Sequence, residues 1–238
     1  MKVLKSNLLI YVALMACIAV SRVHATETEE AGYVGNDPVA PSVVWNFLKH
    51  FDYEAYVWSG SWHFTHNNDL PYGVDKFDFV FFCGHGDTHL IVVSDGRGGD
   101  GRIVRIAEMA GQGGLGDKDL EFIVFHSCKT VASPLETVNW WQPWRNVFNG
   151  LHQAVGFHTN SYKYTAEKIA NSFGNRVAST GYVWQSWFNA IDEHGDHSSN
   201  RDYGCALMYP PAKKDRYRKC VSCDPSPNHT DFWIVYQY

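Results

Sequence analysis

Two stretches of this chain are apolar at nearly every successive position, and they limit the fold more than any other feature. They are Phe77-Asp78-Phe79-Val80-Phe81-Phe82 and residues 120–125. A strand with one wet face alternates, whereas a continuous apolar run is buried on both faces, as strands are in a parallel sheet covered by helices. Ala154-Val155-Gly156-Phe157 is a shorter third run. Helical patterns fill the gaps. Residues 43–51 open after Pro41-Ser42, and residues 144–152 follow Pro143. Thr165 stands where it can cap a helix in which Ile169, Phe173 and Val177 recur every fourth residue, ending near Gly181. Val183, Trp184, Trp187, Phe188 and Ile191 mark another amphipathic helix. Residues 53–64, rich in aromatic and β-branched side chains, read as strand. Residues 89–93 and 102–106 form a hairpin pattern around a glycine-rich turn, and a helix starts at 107–109. Strands alternating with helices predict an α/β domain: a three-layer sandwich with a mostly parallel central sheet.

Residues 1–25 read as a secretory signal peptide rather than as part of that domain. Lys2 and Lys5 precede an apolar run from 8 to 20, and Val23-His24-Ala25 offers a small-residue cleavage site before an acidic stretch. The run is short for a membrane span, which leaves an uncleaved anchor as the alternative. Leu14-Met15-Ala16-Cys17 also resembles a lipoprotein site, which would anchor the chain through Cys17. Cleavage predicts a secreted or extracytoplasmic domain spanning 26–238, with no membrane contact afterwards. It also removes Lys2, Lys5 and Arg22 but no acid, moving the formal net charge from -5 to -8. An acidic balance gives no reason to expect a nucleic-acid partner.

Cys83, Cys128, Cys205, Cys220 and Cys223 lie beyond the leader, an odd number that implies at least one free thiol. The last three cluster near the C-terminus, where one disulfide is expected with its connectivity open. Zinc binding by Cys205, Cys220, Cys223 and His229 is the alternative. Asn228-His229-Thr230 is a glycosylation acceptor in a eukaryotic host. The glycine-rich loops lack the Lys-Ser/Thr ending of a phosphate-binding loop.

Chemistry concentrates at two points, each just past a buried run: Gly84-His85-Gly86 and Ser127-Cys128. In an open parallel sheet the crevice lies beyond the carboxyl ends of the strands. If the two strands are neighbours, His85 and Cys128 approach each other although 43 residues separate them. Their side chains suit thiol acyl transfer, with Cys128 as nucleophile and His85 moving the proton. The backbone N–H groups of Gly86 and Cys128 are the candidate oxyanion donors, with no Cβ at position 86 to block a substrate. Asp87, His89, Trp140, Trp141 and Trp144 are candidate crevice residues. Cys83 and His126 read as core.

The runs Phe81-Phe82-Cys83-Gly84-His85-Gly86 and Phe122-Ile123-Val124-Phe125-His126-Ser127-Cys128 resemble the two motifs of the clan CD cysteine peptidases, the caspase, legumain, gingipain and CHAT group. In those proteins a strand ending in His-Gly precedes a hairpin, a helix and a strand ending in Cys, at a caspase interval of about 50 residues. The likeness spans roughly residues 40–195. It departs at His126-Ser127-Cys128-Lys129-Thr130, where caspases carry Gln-Ala-Cys before a glycine. The resemblance implies a caspase- or gingipain-like fold, with a peptide or protein substrate and no cofactor or metal. His85 and Cys128 would be the catalytic pair of an exported cysteine peptidase. The alternative is a catalytically silent exported binding protein on the same scaffold, with an aromatic surface for carbohydrate or peptide.

Overall fold

The computed structural model describes residues 29–53, 55–68, 71–94, 101–179, 181–217 and 231–238. The leader with Cys17, the glycine-rich hairpin tip at 95–100, Cys220, Cys223 and the glycosylation acceptor at 228–230 lie outside the described residues. No helix among the described residues is long and apolar enough to cross a membrane.

The chain is an α/β protein built on a mostly parallel seven-stranded sheet. Its elements run β1 (Glu30–Val34), α1 (Ala40–Leu48), β2 (Ala55–Trp58), α2 (Ser61–Thr65), β3 (Phe79–Cys83), then β4 (Gly86–Asp87), β5 (Leu90–Val93) and β6 (Arg102–Arg105). They continue with β7 (Phe122–His126), β8 (Gln153–Phe157), α3 (Ala166–Ala178), α4 (Val183–His194), β9 (Gly204–Met208) and β10 (Trp233–Tyr236). Sheet order is β10-β9-β8-β7-β3-β1-β2, and β4-β5-β6 form a separate three-stranded antiparallel sheet. Pairing is parallel from β2 through β1, β3 and β7 to β8; β9 runs antiparallel to β8 and β10 antiparallel to β9.

The two continuous apolar runs are β3 and β7, and they are adjacent, with Phe79 opposite Phe122 and Cys83 opposite His126. Successive side chains on a strand point to opposite faces, so each run feeds two cores. Phe79, Phe81, Phe122 and Val124 join α1, α3 and α4 on one face, in company with Phe47, Phe173 and Trp187. Val80, Phe82, Ile123 and Phe125 join Tyr33, Phe64, Trp144 and Phe148 on the other. Phe47 stacks on Phe81 with ring centroids 4.5 Å apart and on Phe173 at 5.6 Å. Each such fully buried ring contributes about 1.5–3 kcal/mol through its burial. Gly32 lets α1 lie close on β1, because a Cβ there would run into Val44 and Leu48.

Three expected elements differ. Residues 53–64 are strand only over β2: Ser59 donates its N–H and hydroxyl to Val34 O (both 2.9 Å), ending the pairing, and α2 follows. The His63 ring accepts the Gly60 N–H at 2.9 Å and so caps α2. Residues 144–152 are not a helix. A short 3-10 turn at Gln142–Trp144 gives way to a chain bonded to Leu115, with Leu115 N donating to Val147 O (2.6 Å) and Leu151 N to Leu115 O (3.1 Å). Gly150, at φ +121, makes that detour affordable in a way few other residues would. Thr165 stands at the start of α3 but sends its hydroxyl to Tyr162 O and Asp202 instead of to the helix.

The loop before β7 is held by a buried carboxylate. Asp75 accepts the N–H groups of Gly116 and Lys118, and burial pushes its carboxyl up to about 7 against those hydrogen bonds. A carboxyl raised in the folded state favours folding most where it is protonated, so this contribution is full below about pH 4 and lost as pH rises through 7. Urea denaturation is therefore expected to show about 2–3 kcal/mol less contribution from this group at pH 8 than at pH 5. Asp75→Asn should be less stable at both values but with a flatter pH dependence; an unchanged slope would remove Asp75 as its source.

Candidate active site

The loops leaving β1, β3, β7 and β8 bring four side chains to the carboxyl edge of the sheet. Cys83 and His126 are paired strand ends, so His85 and Cys128 each lie two residues beyond neighbouring strands spaced about 4.8 Å apart. The Gly84 N–H donates to His126 O (3.3 Å), extending the pairing to the edge of the site. His85 is largely exposed, and its Nδ1 faces Asp37 Oδ2 at 3.4 Å. Asp37 lies just past β1, where Gly35 N donates to Cys83 O (2.7 Å) and Asn36 N to Val92 O (3.1 Å). Its other oxygen accepts the Val39 N–H at 2.9 Å, ahead of α1. One carboxylate thus opens a helix and orients the histidine.

Cys128 is free and half-buried. Its Sγ accepts the Ser161 N–H at 3.4 Å and lies 3.5 Å from Ser161 Oγ. Lys129, at φ +54, donates its N–H to Thr159 O (2.9 Å), and Val131 N donates to Phe157 O (3.2 Å). These bonds tie the cysteine loop to the strand that supplies Ser161. Thr130 Oγ1 reaches Ser127 Oγ (2.6 Å) and Leu90 O (3.0 Å), fastening the same loop to the hairpin. No hydrogen bond joins His85 to Cys128.

Gly86 lies tight against the cysteine loop. A Cβ there would lie 2.6 Å from Thr130 Oγ1 and 2.9 Å from Cys128 O, so it would strike that loop. Val92 N donates to His85 O (2.8 Å). Antiparallel alternation then turns the Gly86 N–H away from β5. The Cys128 N–H makes no hydrogen bond to the described residues.

The expected crevice residues divide. Asp87 Oδ1 accepts the Thr88 N–H (2.8 Å) and pairs with Lys129 at 3.8 Å, facing the rim. His89 stands at φ +58, and burial holds its ring below the usual histidine range. Half-buried Trp140 and exposed Trp141 line an open cavity of about 430 Å³ with Arg145, Asp231 and Phe232. Trp144 is not a crevice wall: it is fully buried, edge-on to Phe125 at 6.0 Å, because that position faces the second core. Another open cavity of about 490 Å³ lies among Phe188, Asp192, His197, Tyr203, Gln237 and Tyr238. Neither cavity is lined by His85 or Cys128.

Cys83 and His126 form a second cysteine–histidine pair, with Sγ 3.9 Å from Nδ1. Burial, foremost, lifts this thiol well above its ordinary range and lowers the His126 ring to about 4. His126 packs edge-on against Phe157 and Trp187. Both are core groups, as the alternation along their strands implies. Cys205 is free and buried in β9, and the cysteines expected to cluster with it, Cys220 and Cys223, lie outside the described residues. Among the described residues no group of three or more metal-ligating side chains occurs.

Sequence reasoning missed Asp37 and Ser161. The signal for Asp37 was Asp37-Pro38-Val39 just ahead of a helix start; for Ser161 it was the polar run His158-Thr159-Asn160-Ser161 just past a buried strand.

Fold and site together define an α/β protein with an Asp–His pair and a half-buried cysteine on adjacent loops at the carboxyl edge of its sheet. The chain matches the model of a family described as a domain of unknown function, DUF6345, over residues 46–236, and it belongs to that family. No curated protein matches it.

Proposed function

We propose that this chain is an exported cysteine peptidase of the caspase–legumain–gingipain type, with residues 1–25 as its signal peptide. The observation that carries the reading is the placement of His85, oriented by Asp37, and Cys128, held by Ser161, just past the adjacent parallel strands β3 and β7. In this reading the Cys128 thiolate attacks the carbonyl carbon of a peptide bond, and the negative charge on its oxygen meets the N–H groups of Gly86 and Cys128. The C–N bond breaks as His85 gives a proton to the departing amine. Water then attacks the thioester, His85 takes its proton, and the acid product leaves with the thiol restored. The absence of a His85–Cys128 hydrogen bond fits a histidine that serves the leaving group. Asp37 holds the ring in place from 3.4 Å.

Iodoacetamide labelling of the folded protein, mapped by mass spectrometry, tests the reading. Cys128 is expected to react near neutral pH, while Cys83 and Cys205 react only on unfolding. A Cys128 that stays unlabelled until the protein unfolds would sink the enzyme reading. One observation favours a silent binding protein instead: Trp140, Trp141 and Arg145 line a cavity that His85 and Cys128 do not share. Such a protein would bind a peptide or sugar there with Cys128 unreactive.

A further inference from the structure

We propose that Ser161, rather than His85, is the residue that holds the Cys128 thiolate ready for attack. This rests on the reading of Cys128 as nucleophile. The Ser161 backbone N–H already points at Sγ from 3.4 Å, and its hydroxyl lies 3.5 Å away on the same sulfur. Two donors converging on one sulfur stabilise negative charge there, because hydrogen bonds to an ionised acceptor are about twice as strong as neutral ones. When the sulfur carries its proton, Ser161 O at 3.9 Å and Oγ are the acceptors it finds, so the same residue receives both forms. The His85 ring has no hydrogen bond to Sγ and is instead engaged by Asp37.

The placement of Ser161 is built, not incidental. It follows β8, and three bonds fix the loop around it. Asp202, fully buried, accepts the Tyr162 N–H (2.7 Å) and the Thr165 hydroxyl (2.7 Å), while its own N–H donates to Asn160 O (2.9 Å). Lys129 N to Thr159 O closes the loop onto the cysteine segment from the other side. The division of labour follows: Ser161 prepares the nucleophile, and His85 with Asp37 handles the proton on the amine and on water. Cys128 should therefore remain reactive toward a small alkylating agent without a histidine, although peptide hydrolysis would fall steeply.

The test is the rate of Cys128 alkylation by iodoacetamide in the full chain, measured from pH 6 to 10, for wild type, Ser161→Ala, Ser161→Thr and His85→Ala. Ser161→Ala is expected to slow alkylation about fivefold near pH 6.5. It should match wild type at pH 10, where a thiol is ionised without help. Ser161→Thr, which keeps both donors, should restore the neutral rate. His85→Ala should change it less than twofold while lowering hydrolysis of a peptide substrate about 10²–10⁴-fold. A Ser161→Ala profile superimposable on wild type overturns the proposal, as does a His85→Ala profile displaced as far as that expected of Ser161→Ala. If no peptide is cleaved by wild type but the Ser161 effect is present, the peptidase reading falls and the assignment of Ser161 stands.

Discussion

Replacing Cys128 with alanine is expected to lower peptide hydrolysis a thousandfold or more, on the order of the loss that removing a nucleophile brings elsewhere. The change deletes a sulfur in a half-buried position next to Ser161 and leaves the strand pairing beneath it intact. Folding should therefore be unaffected, and the thermal midpoint within a few degrees of wild type. His85→Ala removes only the proton carrier, for which the expected loss is about 10²–10⁴-fold. Asp37→Asn keeps the ring's neighbour but not its charge, and should fall between wild type and His85→Ala. The comparison needs turnover of a peptide panel and the melting curve of each variant. A Cys128→Ala protein that still cleaves at the wild-type rate would mean that the activity belongs to another group.

Asp202→Ala is expected to cost about 3–5 kcal/mol, the range in which a buried polar network is broken. The side chain takes the N–H groups of Tyr162 (2.7 Å) and Asp196 (2.8 Å) and the hydroxyl of Thr165 (2.7 Å). Removing it leaves three donors on half-buried residues facing the space of a fully buried side chain. Each unsatisfied donor carries a penalty of about 1–3 kcal/mol, partly relieved if water enters. Asp202→Asn keeps one acceptor oxygen and should lose roughly half as much. Equilibrium urea unfolding measures both. Because Asp202 anchors the loop of Ser161, the alanine variant should also slow Cys128 alkylation in the folded state. A loss below about 1 kcal/mol would show that the loop is held by its backbone pairing alone.

Much of the sheet was legible because β3 and β7 are buried on both faces and carry no polar interruption. That pattern pointed to a parallel sheet, while the adjacency that places His85 beside the Cys128 loop was a condition that only the pairing of Phe79 with Phe122 meets. The hairpin of β5 and β6 and the helices α1, α3 and α4 were legible through their own periods. Residues 144–152 misled because their spacing suits a helix, while Gly150 and the facing Leu115 decide the matter through contacts 35 residues apart in sequence. Trp144 misled for a related reason: proximity to Cys128 in sequence says nothing of which face it meets. The most consequential omission was β1. Glu30-Ala31-Gly32-Tyr33-Val34 has neither an apolar run nor a clean alternation, yet it lies inside the sheet and brings Asp37 to His85.

The composition that hid β1 from pattern reading also suits the order in which the chain is made. Both of its partners, β2 and β3, come later, and Glu30 meets Phe79 only across 48 residues of intervening chain. Until then both of its edges are bare, the condition in which an apolar strand recruits other chains. A glutamate and a glycine within five residues make it a poor template for itself. Its glutamate is met from far along the chain by Tyr217, whose hydroxyl donates to the Glu30 carboxylate. Asp37 and His85 both precede Cys128 in the chain, and the β1–β3 pairing that brings them together lies wholly within its first half.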